Sequence, residues 1–384
     1  MAVIDWSDPT TAANPQHAYS EALHQCPVHH EGGTNYIALS REAVDAVFRD
    51  PTTFSSHGAV SLGAADPLIP LEIDPPDHHR YRKLLDPIFA PRKIAEMEQT
   101  VTELVNDLID QFIDAGTTDL VQSFTEPLPS TVFLNLLGLP IDNVGEFLRL
   151  KDGIIRPAGA TEDEQMNVRV EVGMEIYTMF EGVIADRAVE PRDDLISWFL
   201  STEVDGEHLT REEILGICFL FLLAGLDTVA GQLSTMFAYL LANPAARDQL
   251  VEHPDLIPSA IEESLRWETI VAGVARKTTC DTELFGMSIP AGSFVNVGIS
   301  GANVDPLEFP NPLEVDFTRN PNRHLAFGGG IHRCLGSHLA RLELRVAIRE
   351  FHRRIPSYRV ADDHEVAYVL NSPMRSAATL PIVF

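Results

Sequence analysis

The chain has 384 residues, 45% hydrophobic and 22% charged, which is the make-up of a soluble globular protein. Its net charge of −28 argues against a nucleic acid or an anionic membrane as partner. The four cysteines (Cys26, Cys218, Cys280, Cys334) are scattered with no CxxC pair, giving neither a disulfide framework nor zinc-ligand spacing.

The N-terminus, MAVIDWSDPTTAANP, has no basic region followed by an apolar core, so residues 1–15 are expected to be extended and no leader is read. A strand is expected at 35–39 and a helix at 41–49, then a long loop of small residues, Gly and Pro over 54–72. Two prolines at 75 and 76 open a helix that presents His78 and, four residues on, Arg82 on one face. Val101, Leu104, Val105, Leu108, Ile109, Phe112 and Ile113 mark an amphipathic helix, and further helices are expected over 135–150, 166–188 and 245–251.

The longest apolar run, 214–226, is 13 residues and suits a buried core helix rather than a membrane span. It lies in a helical stretch from Thr210 to Asn243, opened by a Thr210–Glu213 capping box and stopped by Asn243–Pro244. The centre of that helix, AGLDTVAG, sets Gly225, Asp227 and Thr228 in apolar surroundings, and such local rule-breaking is expected at functional sites. Glu263 and Arg266 are three apart on a helix and can pair, with Arg319 as candidate third partner. Strands are expected over 281–289, over 294–297 and in the last residues. The fold class is therefore mainly α with small β-sheets (α+β), one large domain over 1–384 built around a long central helix.

Last comes FGGGIHRCLG, residues 327–336, followed by a helix over 335–353. Glycines let a loop approach a flat ligand closely, and a cysteine entering a helix N-terminus has its thiolate stabilised by unpaired N–H groups. These are the needs of a thiolate bonded to haem iron.

The loop resembles the haem-binding loop of the cytochrome P450 family, and the other motifs stand in that family's order. The resemblance implies haem b as cofactor, with Cys334 as axial iron ligand and His332, His78, Arg82 and Arg276 (in GVARKT) on the propionates. It assigns Phe327, Gly328, Gly336 and Gly225 to cofactor binding as well. Thr228 would hydrogen-bond dioxygen at the iron and Asp227 would relay protons. Glu263–Arg266 would be a structural pair, and Val304 in GANVDP departs from the Arg common in relatives.

The implied activity is a cytoplasmic monooxygenase that inserts one oxygen atom from O2 into a hydrophobic small molecule. A ferredoxin-type donor with its reductase would supply the electrons. Rival readings are a peroxide-driven peroxygenase of the same fold and a non-catalytic haem sensor or carrier. Leu220, Leu223, Ala224, Val271, Ala272, Val369, Leu370 and the loop near 60–71 are the expected substrate lining. Residues 76–93 and 333–359 hold 12 of the 28 basic residues against four acids, which suggests a basic face for an acidic electron donor.

Overall fold

In the computed structural model the Thr210–Glu213 capping box forms. The Glu213 N–H donates to Thr210 Oγ1 at 3.2 Å and the Thr210 N–H to Glu213 Oε2 at 2.7 Å. They open a 32-residue helix, Arg211–Ala242, about 48 Å long at roughly 1.5 Å per residue. By length and apolarity this helix could cross a membrane, but 78% of its most apolar window is buried inside the protein.

The structure describes residues 4–60, 64, 66–370, 372 and 374–384. Positions 61–63 and 65, part of the loop expected to face substrate, lie outside the described residues. The chain divides into two compact units, one of Met1–Ser55, Phe89–Leu128 and Thr228–Phe384, the other of Ser56–Ile88 and Pro129–Asp227.

The first unit holds a five-stranded sheet in the order Val28–Gly32, Asn35–Ala38, Phe294–Val297, Val274–Thr278, Phe54–Ser55. The Asn35–Ala38 and Phe294–Val297 strands are parallel and the other pairs antiparallel. Val44, Val47 and Phe48 of the helix Arg41–Arg49 pack on Val295 and Val297 of that sheet. The helix Ser337–Arg354 lies along Glu98–Asp110, where Arg345 and Arg349 both reach Glu98. The second unit is helical, with Asp77–Leu85, Val144–Ile155, Glu162–Val189 and Leu195–Ser201 as its main members.

Several elements differ from expectation. Asp8 accepts from the N–H groups of Thr10 and Thr11 and starts a short helix, Pro9–Ala13, where extended chain was expected. The helix read over 135–150 is two helices, Pro127–Leu137 and Val144–Ile155, parted at Gly138 (φ 68°) and Pro140. The strand read over 281–289 is a hairpin, because Phe285 and Gly286 both take left-handed angles (φ 51° and 81°) between Thr282–Leu284 and Met287–Ile289. Val304 is a core residue packed with Ile4, Tyr19 and Ala272, so an apolar contact stands where relatives carry a cation.

The basic excess is neutralised by acids distant in sequence. Ten of the twelve cations are ion-paired, among them Arg80 with Glu213, Lys83 with Asp205, Arg341 with Glu262 and Arg354 with Asp110.

The Glu263–Arg266 pair is a buried knot, neither side chain exposed. Arg266 meets Glu263 through two hydrogen bonds of 2.8 and 2.7 Å, and Arg319 adds two of 3.1 Å. Asn322 and the Asp316 N–H also donate to Glu263, at 3.0 and 2.9 Å. Removing one member of such a pair leaves charge buried without its partner. The variant Glu263→Gln should therefore lose roughly 3–5 kcal/mol of stability, measured by urea unfolding against the parent chain.

Candidate functional site

Cys334 sits at the surface of its loop, two residues ahead of Gly336, which caps the helix Ser337–Arg354. The helix thus begins later than read from the sequence, and the cysteine precedes its first turn. The Cys334 N–H donates to the Phe327 carbonyl at 2.8 Å, and the Gly328 N–H to the Leu325 carbonyl at 2.7 Å, closing the loop on itself. Gly328 and Gly330 have left-handed angles (φ 66° and 63°), and a Cβ on Gly330 would stand 2.1 Å from the Phe48 carbonyl oxygen. The glycine run is thus required first by packing on the helix Arg41–Arg49.

Phe327 lies under the Arg341 guanidinium at 4.4 Å. Arg341 in turn holds Glu262 with two bonds of 2.7 Å, and His324 reaches the same carboxylate at 3.0 Å. His332 ends a single 3₁₀ turn and is half-buried. Arg276 is buried on the strand Val274–Thr278, 5.9 Å over the Phe48 ring, and donates to the Ala275 carbonyl at 2.7 Å.

In the second unit, His78 is buried in the first turn of Asp77–Leu85. Burial first, then the nearby charge of Arg82, pushes its pKa down to about 4, which keeps the imidazole neutral at neutral pH. Arg82 pairs with Asp86 at 2.7 Å. Arg80 and Tyr81, between them in sequence, both bond Glu213, the capping residue of the long helix, the tyrosine at 2.6 Å.

Asp227 is buried and clamped by Arg156 at 2.7 and 3.0 Å, with Lys151 at 3.3 Å. Burial works against the Arg156 charge, but Asp227 and Asp152 hold its pKa above the ordinary value. Gly225 has a different use from the one expected, since a Cβ there would meet the Phe133 ring at 2.4 Å. On the middle of this otherwise buried helix Ala224 is exposed, and Leu220, Gly225 and Thr228 are half-buried. Leu223 and Ala272, expected to line a substrate pocket, are instead buried, Ala272 in the core cluster with Val304. Arg156, Lys151 and Phe48 were not read from the sequence, and no motif or spacing links them to their partners.

A family model described as Cytochrome P450 matches residues 154–354. The steroid C26-monooxygenase of Mycobacterium tuberculosis (strain CDC 1551 / Oshkosh) is 33% identical over 362 residues, 93% of this chain and 97% of that protein. The chain is a cytochrome P450. The fold agrees with CYP109E1 from Bacillus megaterium, solved with testosterone, at TM-score 0.92 and 28% identity over 98% of this chain and 99% of that one. It agrees equally with the myxobacterial cytochrome P450 CYP267B1, solved with myristic acid, at TM-score 0.91 and 32% identity over 98% of each chain.

As a P450 it is a haem oxidoreductase of the monooxygenase type. The residues present fit that cofactor. Among the described residues no three His, Cys, Asp or Glu side chains converge on one point, so a metal that brings its own equatorial ligands matches the donor set better than a protein cage. The exposed thiol of Cys334 and the uncovered stripe at Ala224 and Thr228 are surfaces such a group would need.

Two outcomes follow from this geometry. Gly330→Ala should cost about 2 kcal/mol or more, because the new methyl meets the Phe48 backbone in a left-handed conformation, and thermal unfolding measures it. Burial would raise the Glu262 pKa, but the bonds from Arg341 and His324 win and hold it at about 2. Its stabilising effect is complete above the ordinary 4.5 and is lost as pH falls toward 2, so acid unfolding of Glu262→Gln should be less steep across that window.

Proposed function

We propose that residues 1–384 act as one catalytic domain of a cytoplasmic, haem b-dependent monooxygenase that hydroxylates a hydrophobic small molecule with electrons from a ferredoxin-type donor and its reductase. The accessible Cys334 thiol in a glycine loop ahead of a helix carries this reading. Cys334 would be the axial ligand, held in place by its N–H bond to Phe327. Gly328 and Gly336 shape the turn, and Phe327 is the loop's anchor beneath Arg341. His332, Arg276, His78 and Arg82 are assigned to the propionates, the two arginines as charge partners and the neutral His78 as a hydrogen-bond donor.

The haem, when bound, supplies the site at which dioxygen is reduced and one oxygen atom is transferred. The chain's own part is proton handling. Thr228 offers a hydroxyl that both donates and accepts, on the uncovered stripe of the long helix. Asp227 is held by two cations and is therefore a weak base in this geometry; passing a proton toward Thr228 requires it to exchange one of those partners. The presence of both Asp227 and Thr228 favours oxygen activation over the peroxide-driven and carrier alternatives. A steroid-oxidising relative and folds solved with testosterone or myristic acid support an apolar substrate, as does the stripe of Leu220 and Ala224.

The test is the optical spectrum of the reduced protein under carbon monoxide. A strongly red-shifted Soret band is expected for the parent and its loss for Cys334→Ser; an imidazole-like band untouched by the substitution would remove the assignment. Thr228→Ala should keep that band but raise hydrogen peroxide released per reducing equivalent about tenfold, read with the tightest-binding steroid or fatty acid.

A further inference from the structure

Arg375 has no part in the reading above, yet its guanidinium reaches three separate segments of the first unit while only 4% exposed. Nε donates to the Ala12 carbonyl at 3.1 Å and Nη2 to the Ala13 carbonyl at 2.5 Å, at the C-terminus of the helix Pro9–Ala13. Nη1 pairs with Glu268, the buried residue that caps the end of Ile257–Trp267. The guanidinium also lies 4.6 Å over the Tyr368 ring.

The backbone around it is fixed as closely. The Arg375 N–H donates to the Ile270 carbonyl at 3.0 Å, and Met374 forms a β-bridge with Val271. The Val369 N–H donates to the Ser376 carbonyl at 3.0 Å, and the Ala377 N–H to Ser234 Oγ on the long helix at 3.1 Å. A Cβ on Gly231, three residues after Thr228, would stand 2.9 Å from the Arg375 carbonyl oxygen.

A five-residue helix has no stability of its own, and its last carbonyls lack intrahelical donors. Arg375 supplies those donors from the other end of the chain and sets a cation where the helix dipole favours one. For stability alone, apolar residues of like volume would often serve a buried pair's place as well. What the pair adds is a defined arrangement: helix Pro9–Ala13, the end of Ile257–Trp267 and the late segment 367–377 must meet at one geometry.

We propose that Arg375 is a positioning residue for substrate selection, which fixes Val369 and Leu370 beside Val271 by holding the N-terminal helix and Glu268 together. This rests on the reading that Val369 and Leu370 face the substrate. Leu370, a large apolar side chain 40% exposed, is the group whose place would be set.

The experiment compares two azoles binding the ferric holoenzyme, followed by the Soret shift. Imidazole needs the iron alone, whereas miconazole must also fit the pocket. The variants are the double substitution Arg375→Met with Glu268→Gln, which leaves no unpaired charge, then Arg375→Lys, and Leu370→Ala. In the double variant miconazole should bind about tenfold more weakly while imidazole stays within about twofold and the carbon monoxide band is unchanged. Arg375→Lys should fall between, because one ammonium has to serve two carbonyls and a carboxylate. Hydrogen exchange should rise together over 9–13 and 367–379 in the double variant.

Unchanged miconazole binding in the double variant, with weaker binding in Leu370→Ala, would overturn the proposal and leave the pocket reading standing. No effect of Leu370→Ala would remove the pocket reading and the proposal with it. Loss of the carbon monoxide band in the double variant would make Arg375 a folding residue and overturn the proposal as well.

Discussion

The position of the thiol depends on one buried carboxylate. From Asn303 to the glycine loop the chain runs through some twenty residues with no helix or strand among those described, and its backbone carbonyls still need donors. Arg266 supplies them, donating to the carbonyls of Asn303, Pro312 and Glu314 at 3.0, 2.8 and 2.9 Å. Arg319 adds bonds to Pro310 at 2.8 Å and Glu314 at 3.1 Å. Two guanidinium groups so near each other would repel, and Glu263 between them makes the arrangement tolerable. Asn303 carries the order forward, its amide oxygen accepting from the Leu325 N–H at 2.7 Å, and Leu325 then anchors Gly328. A charge on one helix therefore fixes a cysteine far along the chain, through hydrogen bonds that can each be named.

The long helix meets a different constraint. Its apolar sequence favours burial, so each polar or small residue within it needs a specific neighbour. Asp227 has Arg156 and Lys151, and Gly225 has the ring of Phe133. Thr228 and Ala224 are the residues at its centre that protein atoms leave most open. The helix is thus packed tightly on the sides where it carries no chemistry and uncovered on the stripe where chemistry is assigned. Rigid packing around that stripe keeps a weak proton donor at a fixed place, which is what proton delivery asks of it.

How much of this was legible depended on how local each signal was. The Thr210 capping box, the helix Arg41–Arg49 and the strand Phe294–Val297 were read directly, because their caps and periodicity lie within a few residues. The Glu263–Arg266 pair is also local, and Arg319 was found by its place in the family's pattern. The break at Gly138 and the hairpin turn at Phe285 were missed, since both hang on backbone angles that apolar periodicity does not report. Gly225 was given to the cofactor although Phe133, nearly a hundred residues away, takes up its missing Cβ. Arg156 and Lys151 were invisible for the same reason: no spacing rule connects the end of one helix to the middle of another.

Charge shows the same limit and leads to a physical conclusion. Counted along the sequence, residues 333–359 form a basic tract, but most of its arginines bind acids on other segments, such as Glu98 and Asp110. Paired charges cancel beyond about a Debye length, roughly 8 Å at physiological ionic strength, so this tract contributes little long-range steering. What survives is short-ranged. His338, just past the cysteine, has its pKa lowered by burial and then by Arg341 and Arg333, so a positive potential persists at that helix start even with Arg341 bound to Glu262. A potential of that reach acts on groups in contact with the loop, an anionic sulfur on Cys334 foremost. It attracts a docking protein only once the two surfaces nearly touch.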